Sequence, residues 1–237
     1  MIEQAVILAG GKGTRLMPLT KDIPKPLVLV NKKPFLEWQL LFLQKQGTRR
    51  ALLLVSHLAD KIVDYFTQHP IPGLDITFSH ETEALGTGGA LLNAIEKLED
   101  TFFVLNGDSF APIRLKEMES EFRKKTSDIC VAVLPAEKNM EVPGNMKITE
   151  GCVVEYKKEA GIAAGYPWID AGVYIYNKSV LAKVKASGFF GIDKTWESSI
   201  QNKTMVVYKM SDPFFDIGTP DRLKFFEGKI EKFFDGE

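Results

Sequence analysis

Cysteine is almost missing from this chain: Cys130 and Cys152 are the only two in 237 residues. That is too few for a disulfide framework, and their spacing is not that of metal ligands. Two buried free thiols are expected, as in a reducing cytoplasm. No basic residue precedes Lys12, and the start Met1-Ile2-Glu3-Gln4 does not read as a signal peptide. Long apolar runs are missing too; stretches such as Ala51 to Val55 are far too short to span a bilayer. Neither sign of charge dominates: 30 Lys and Arg face 31 Asp and Glu, for a net charge of −1. Bulk charge therefore points to neither a nucleic acid nor a membrane surface as partner. Internal repeats, low-complexity tracts and Pro/Ser-rich linkers are absent as well.

What is present is ordinary globular composition, 45% hydrophobic and 26% charged, in a chain long enough to bury a core without staples. The first half alternates short apolar runs with amphipathic stretches. Strands are expected at Gln4 to Leu8, Ala51 to Val55, Ile76 to Ser79 and Thr101 to Leu105. Helices are expected at Asn31 to Gln46, Asp60 to Gln68 and about Gly88 to Leu98. The alternation implies βαβ crossovers, hence a Rossmann-like α/β fold whose mostly parallel central sheet carries helices on both faces. The second half is less regular. It offers a helix at Leu115 to Lys125 and strands at Ile129 to Leu134, Asn145 to Ile148, Val153 to Tyr156, Gly172 to Tyr176 and Met205 to Tyr208. Further helices are expected at Ser179 to Lys185 and Pro220 to Phe234. One domain over 1–237 is expected, with a nucleotide half over about 1–112 and an acceptor half over about 113–237.

The segment Leu8-Ala9-Gly10-Gly11-Lys12-Gly13-Thr14-Arg15-Leu16 directly follows the first strand. Its glycines let backbone N–H groups approach an anion closely, at the strand end where α/β sheets bind ligands. From Gly10 to Lys33 six bases (Lys12, Arg15, Lys21, Lys25, Lys32 and Lys33) face one acid, Asp22, an excess suited to a polyphosphate. The common phosphate motifs do not fit. A dinucleotide fingerprint begun at Gly11 needs glycine where Leu16 stands, and a Walker loop needs Ser or Thr where Gly13 follows Lys12. On glycine content alone, a tight turn with solvated lysines is an equally good reading.

The longer string, Leu8 through Leu27, reads LAGGKGTRLMPLTKDIPKPL. It closely resembles the signature of the sugar-1-phosphate nucleotidyltransferases. The resemblance continues through Leu85-Gly86-Thr87-Gly88-Gly89-Ala90, Asn106-Gly107-Asp108, Ala171-Gly172-Val173-Tyr174 and Asp216-Ile217-Gly218-Thr219-Pro220, nearly the whole chain. Within the family, Pro34-Phe35-Leu36-Glu37, the Glu81 to Ala90 segment and the short length look most like D-glycero-D-manno-heptose-1-phosphate guanylyltransferases. Mannose-1-phosphate guanylyltransferases and N-acetylmuramate-1-phosphate uridylyltransferases are close alternatives. The trailing left-handed β-helix of some members is not expected from this sequence.

The resemblance implies attack by a sugar-1-phosphate oxygen on the α-phosphorus of a nucleoside triphosphate, GTP being favoured, with release of pyrophosphate. It implies that Leu8, Ala9, Gly10, Gly11, Lys12, Gly13 and Thr14 hold the nucleotide, that Arg15 stabilises the leaving pyrophosphate, and that Lys25 lies between the α-phosphate and the acceptor phosphate. Asp108 and Asp216 fall where the family holds Mg²⁺ with two carboxylates, and hard oxygen ligands completed by phosphates are what that ion prefers. Glu81, five residues before Gly86 and Thr87, matches the family's base-reading pair, with Glu83 as the alternative. A carboxylate is an acceptor-only group that suits the paired N–H donors of guanine. For the sugar phosphate the resemblance offers Gly144, Lys158, Glu159 and Asp170. The family's Glu-Lys pair appears here as Lys157-Lys158-Glu159, so either lysine is a candidate, and Asp170 stands where an asparagine is usual.

Other polar residues have plainer readings. His57, His69 and His80 lack metal spacing, Trp38 reads as core, and Glu117, Glu119 and Glu121 read as one solvated helix face. Two further functions remain open to the sequence: a catalytically silent nucleotide-sugar-binding regulatory subunit, and a cytidylyltransferase acting on a small phosphorylated alcohol. Oligomerisation is compatible with everything above.

Overall fold

The computed structural model describes residues 1–139 and 141–234. The chain gathers into two compact units, each built from separated segments. The first draws on Glu3–Ala84, Leu105–Phe110 and the chain from Phe215 onward; the second draws on Met1–Ile2, Leu85–Val104 and Ala111–Phe214.

In the first unit, the apolar run Gln4–Leu8 is a nearly fully buried strand paired in parallel, as such an apolar run favours. Gln4 through Leu8 align with Arg50 through Leu54, and the strand Arg50–Val55 aligns residue for residue with Asp75–His80. The connections are the helices Phe35–Lys45 and Ala59–Gln68. The helix expected from Asn31 starts later, at Phe35. Asn31 and Lys32 adopt positive φ (46° and 67°) and turn a short hairpin between Leu29–Val30 and Lys33–Pro34. Asparagine tolerates that conformation, which no helix can accommodate. The C-terminal element also divides. Pro220–Glu227 is α-helix, and after Gly228 a short 3-10 turn covers Ile230–Phe233.

The second unit is a mixed ladder. The fully apolar strand Ile129–Pro135 runs parallel to Met205–Lys209 and antiparallel to Trp168–Asn177. Cys152–Tyr156 and Met146–Thr149 add antiparallel partners. Parallel pairing thus prevails in the first unit and antiparallel pairing in the second, within one α/β fold. The register of Trp168–Asn177 slips between Asp170 and Tyr174, where Gly172 takes φ +72°; the Ala171-Gly172-Val173 motif is this irregularity. The segment Ser179 to Lys185, expected as helix, is a 3-10 run over Lys178–Lys183. Both thiols are free and buried. Glu119 departs from the solvated face expected of it. It is buried and accepts hydrogen bonds from the Ile2 amide (3.0 Å) and Arg123 Nε (2.8 Å). No helix among the described residues is long and apolar enough to cross a membrane.

Candidate active site

The three parallel strands of the first unit end at one edge, and the segments leaving them meet there. Ala9 N–H donates to the Leu54 carbonyl and Glu81 N–H to the Val55 carbonyl, at 2.9 and 3.0 Å. A side chain on Gly10 would begin 3.1 Å from Ser56 Cβ and 3.2 Å from Glu81 Oε1. Only glycine fits there without crowding, and the Glu81 carboxylate lies over the Gly10 backbone. Glu81 is half-buried whereas Glu83 is exposed, so of the two candidates Glu81 is the one brought to the loop.

Further along, Gly13 adopts φ +62°, and a Cβ there would stand 2.9 Å from Lys25 Cβ. The loop therefore folds directly onto the stem of Lys25, and Thr20 Oγ1 ties it down by donating to the Gly13 carbonyl (2.8 Å). Lys25 sits between Pro24 and Pro26, is only 7% exposed, and places Nζ 2.6 Å from Asp108 Oδ2. Burial of a lysine ammonium at this depth needs such a partner.

Two short strands bring the two aspartates together. Ser109–Phe110 pairs antiparallel with Phe215–Asp216, so that Asp216 stands opposite Ser109. The Ile217 amide donates to the Asp108 carbonyl (3.0 Å). Phe110 and Phe215 point into an aromatic cluster with Phe226, at ring distances of 5.3 and 5.6 Å, which anchors the pair from behind. Gly107 donates to the Leu8 carbonyl, and a side chain there would begin 2.6 Å from that oxygen. Asp108 is thereby held against the end of the first strand. Asp216 accepts from the Gly218 amide at Oδ1 (2.8 Å) and from Arg222 Nη1 at Oδ2 (2.8 Å). A side chain on Gly218 would begin 3.3 Å from Arg15 Nη2, which puts the exposed Arg15 guanidinium at the same turn. Arg15, Lys25, Asp108 and Asp216 thus lie in one unit, joined by an unexpected fifth residue, Arg222. Its signal in the sequence is an arginine in the first turn of a helix, where the dipole disfavours a cation unless an acid repays it.

Among the described residues no three His, Cys, Asp or Glu side chains gather as a metal-ligand group. The Asp108–Asp216 pair nevertheless suits a hard cation that takes two carboxylates and completes its shell from phosphate and water. Each carboxylate has about four lone-pair sites; Asp108 spends two, on Lys25 Nζ and on Ser109 Oγ (3.2 Å), as Asp216 does on Gly218 and Arg222, so lone pairs remain for such an ion.

The second unit carries the remaining candidates. Gly86 adopts φ +72°, and a Cβ there would begin 2.5 Å from the Phe190 carbonyl. That carbonyl accepts from the Gly88 and Gly89 amides at 3.0 and 3.4 Å. Thr87 Oγ1 accepts from the Ile192 amide (2.8 Å). The glycines of this motif thus let the segment around Phe190 close onto the first turn of the helix Gly86–Asn93, a partnership that sequence reading missed. Gly144 is buried under Tyr166, whose carbonyl leaves no room for any side chain. Lys157, Lys158 and Glu159 are exposed. Asp170 Oδ1 accepts from the Gly172 amide (2.8 Å) and Oδ2 from the Tyr174 hydroxyl (2.5 Å). Burial pushes its carboxyl up to about 6, against the lowering effect of those two bonds.

The chain is similar to known proteins over almost its whole length. A family profile described as nucleotidyl transferase matches residues 4–231. The chain is 33% identical to a D-glycero-alpha-D-manno-heptose 1-phosphate guanylyltransferase of Campylobacter jejuni, over 92% of this chain and 96% of that one. It is 31% identical to a mannose-1-phosphate guanylyltransferase catalytic subunit beta of Drosophila pseudoobscura, over 92% of this chain but 59% of that one. The crystal structure of HddC from Yersinia pseudotuberculosis, complexed with GMP-PN, aligns with a TM-score of 0.77 and 30% identity, covering 98% of this chain and 100% of that one.

Proposed function

Because the chain belongs to the nucleotidyl transferase family, we propose that its donor is GTP and its acceptor a D-glycero-D-manno-heptose 1-phosphate. The enzyme transfers a nucleotidyl group from a nucleoside triphosphate to a sugar 1-phosphate. An acceptor phosphate oxygen attacks the α-phosphorus, the bond from that phosphorus to the bridging oxygen of the β-phosphate breaks, and pyrophosphate leaves with the electron pair. Both reactants are polyanions, so the protein must offset their repulsion and hold attacking and leaving oxygens in line.

In this reading the Leu8 to Thr14 loop holds the triphosphate through its N–H groups. Arg15 meets the charge that grows on the leaving pyrophosphate, where a planar fork of donors matches phosphate oxygens. Lys25, a compact charge on a stem fixed by two prolines, meets the attacking phosphate and the α-phosphate. Asp108 and Asp216 would hold Mg²⁺, which when bound draws phosphate oxygens together and offsets their charge. Gly144, Lys158, Glu159 and Asp170 would receive the sugar and its phosphate, and Gly86 and Thr87 would complete the nucleotide site. Free thiols and these substrates suit an enzyme of the cytoplasm.

The observation that carries the donor choice is the Glu81 carboxylate over the Gly10 backbone. An acceptor-only group satisfies the N1–H and N2–H₂ donors of guanine, whereas uracil would face it with a carbonyl. The acceptor choice rests on the heptose 1-phosphate guanylyltransferase matched along almost its full length. Pyrophosphate release from four nucleoside triphosphates, each offered with heptose, mannose, glucose and N-acetylated sugar 1-phosphates, tests both. GTP with heptose 1-phosphate should give the highest kcat/KM. A preference for UTP or CTP would overturn the donor assignment, and a preference for mannose 1-phosphate would replace the acceptor. Release with no pair of substrates would favour the silent regulatory subunit, which has no need of the full set of Arg15, Lys25, Asp108 and Asp216.

A further inference from the structure

Each of the two aspartates assigned to the metal is already held by a cation of the chain itself. Lys25 Nζ stands 2.6 Å from Asp108 Oδ2, and Arg222 Nη1 stands 2.8 Å from Asp216 Oδ2. The other oxygens are taken by neutral donors, Ser109 Oγ at 3.2 Å and the Gly218 amide at 2.8 Å. Asp108 immediately precedes the strand whose Ser109 stands opposite Asp216, and its carbonyl accepts from the Ile217 amide (3.0 Å), so the two carboxylates leave neighbouring backbone positions, where like charges repel. The lysine and the arginine relieve that repulsion, which is the same service a divalent cation would perform.

We propose that Lys25 and Arg222 are internal counter-cations that compete with the divalent metal for Asp108 and Asp216, so that metal affinity is set by whether these two side chains have another anion to go to. This rests on the reading of the two aspartates as the metal ligands. A divalent ion bound to these oxygens would meet an ammonium and a guanidinium at short range, and that repulsion lowers its affinity.

The two cations are not equivalent. Lys25 has a side chain only 8% exposed, a backbone stiffened by Pro24 and Pro26, and a stem covered by Gly13. Its ammonium cannot retreat into water, so it leaves Asp108 only for another anion within reach, such as a substrate phosphate. Arg222 lies in the first turn of the helix Pro220–Glu227 with a side chain 26% exposed, and can turn toward solvent more cheaply. Phosphate arrival and metal arrival are therefore coupled through Lys25: the substrate that takes its charge uncovers Asp108. Such coupling is reciprocal, each ligand raising the affinity of the other by the same factor. Arg222 is a positioning residue in this scheme, acting through Asp216.

Mn²⁺ titrated into the full chain without nucleotide, with the free ion followed by electron paramagnetic resonance, tests the competition directly. Lys25→Met and Arg222→Met should each tighten Mn²⁺ binding by about tenfold, the order of effect expected on losing one part-buried competing cation. Arg222→Lys, which keeps the charge, should remain near the wild-type value. Adding Asp216→Asn to the Lys25→Met background should abolish the gain. Circular dichroism melts identify any variant that has lost its fold, and the two Met variants test the idea independently. Unchanged or weaker Mn²⁺ binding in folded Met variants, with Asp216→Asn still reducing it, would overturn the competition and leave the metal site standing. Mn²⁺ binding indifferent to Asp216→Asn in every background would instead overturn the metal assignment itself.

Discussion

The carboxylates of Asp108 and Asp216 and the carboxylate of Asp170 are the same chemical group in two different surroundings. The first two lie in a unit where cations drawn from elsewhere in the chain, Lys25 and Arg222, pair with them. Asp170, in the other unit, is held by the Tyr174 phenol and the Gly172 amide, and burial pushes its carboxyl up to about 6. Cation pairing offsets the charge of the first two and still leaves lone pairs for a metal ion. Burial raises the proton affinity of the third, and the phenol and the amide only partly offset that. The surroundings, not the residue type, distinguish the two settings: cation partners in one, burial and neutral donors in the other.

The largest effect should come from erasing the charge on one side of this comparison. Asp216→Asn should keep the fold, since the amide still accepts from Gly218, whereas Asp108→Asn leaves the buried Lys25 only a neutral acceptor and should cost some stability; both should lower kcat on the order of a hundredfold to a thousandfold. Arg15→Ala should likewise act on kcat more than on KM, because its charge partner grows in the transition state. Steady-state kinetics at limiting Mg²⁺ checks both, and normal turnover in the two Asn variants would remove the difference between the regions.

A smaller change should follow at the strand-end carboxylate of the first unit. Glu81→Gln keeps the size of the side chain over Gly10 but adds donors. It should lose GTP activity and gain relative tolerance for UTP, by about tenfold or more if one unsatisfied buried group costs roughly 1–3 kcal/mol. Competition between GTP and UTP in one reaction measures the ratio, and an unaltered ratio would show that Glu81 does not read the base.

The smallest effect concerns stability. The folded-state pKa of Asp170 lies above its ordinary value, so ionising it opposes folding. That cost is absent near pH 4, grows as pH rises toward 6 and is fully present above about 6. Asp170→Asn should therefore be more stable than wild type at pH 7.5, by roughly 1–3 kcal/mol, with the advantage vanishing toward pH 4. Urea denaturation at the two pH values checks this. A pH-independent difference would place Asp170 among ordinary carboxylates and dissolve the contrast drawn above.

Much of the fold was legible because local signals agreed. Gln4–Leu8 coincides with its expected limits, and Arg50–Val55, Asp75–His80 and Met205–Lys209 differ from theirs by a residue at one or both ends. Apolar runs bounded by turn residues leave little choice. The pairing of Ser109–Phe110 with Phe215–Asp216 was not legible. Two-residue strands carry no periodicity, and their partner lies far away in the chain. The same holds for Phe190 over Gly86: glycine announces a close approach but not what approaches. Glu119 was misread because an acid in a charged helix looks solvated until a distant amide, that of Ile2, is found beside it.

The sequence by itself determined the α/β alternation, the glycine loop after the first strand, the family, and the identity of the charged residues. These follow from short-range causes: side-chain period, the sterics of glycine and proline, and a contiguous signature. Only the tertiary structure decided which cation meets which carboxylate, that Glu81 rather than Glu83 lies over Gly10, and that burial pushes the Asp170 carboxyl up to about 6. Charge and proton affinity depend on what stands within a few ångströms, and two of those neighbours, Lys25 beside Asp108 and Glu81 beside Gly10, are brought together by folding from positions the sequence keeps far apart.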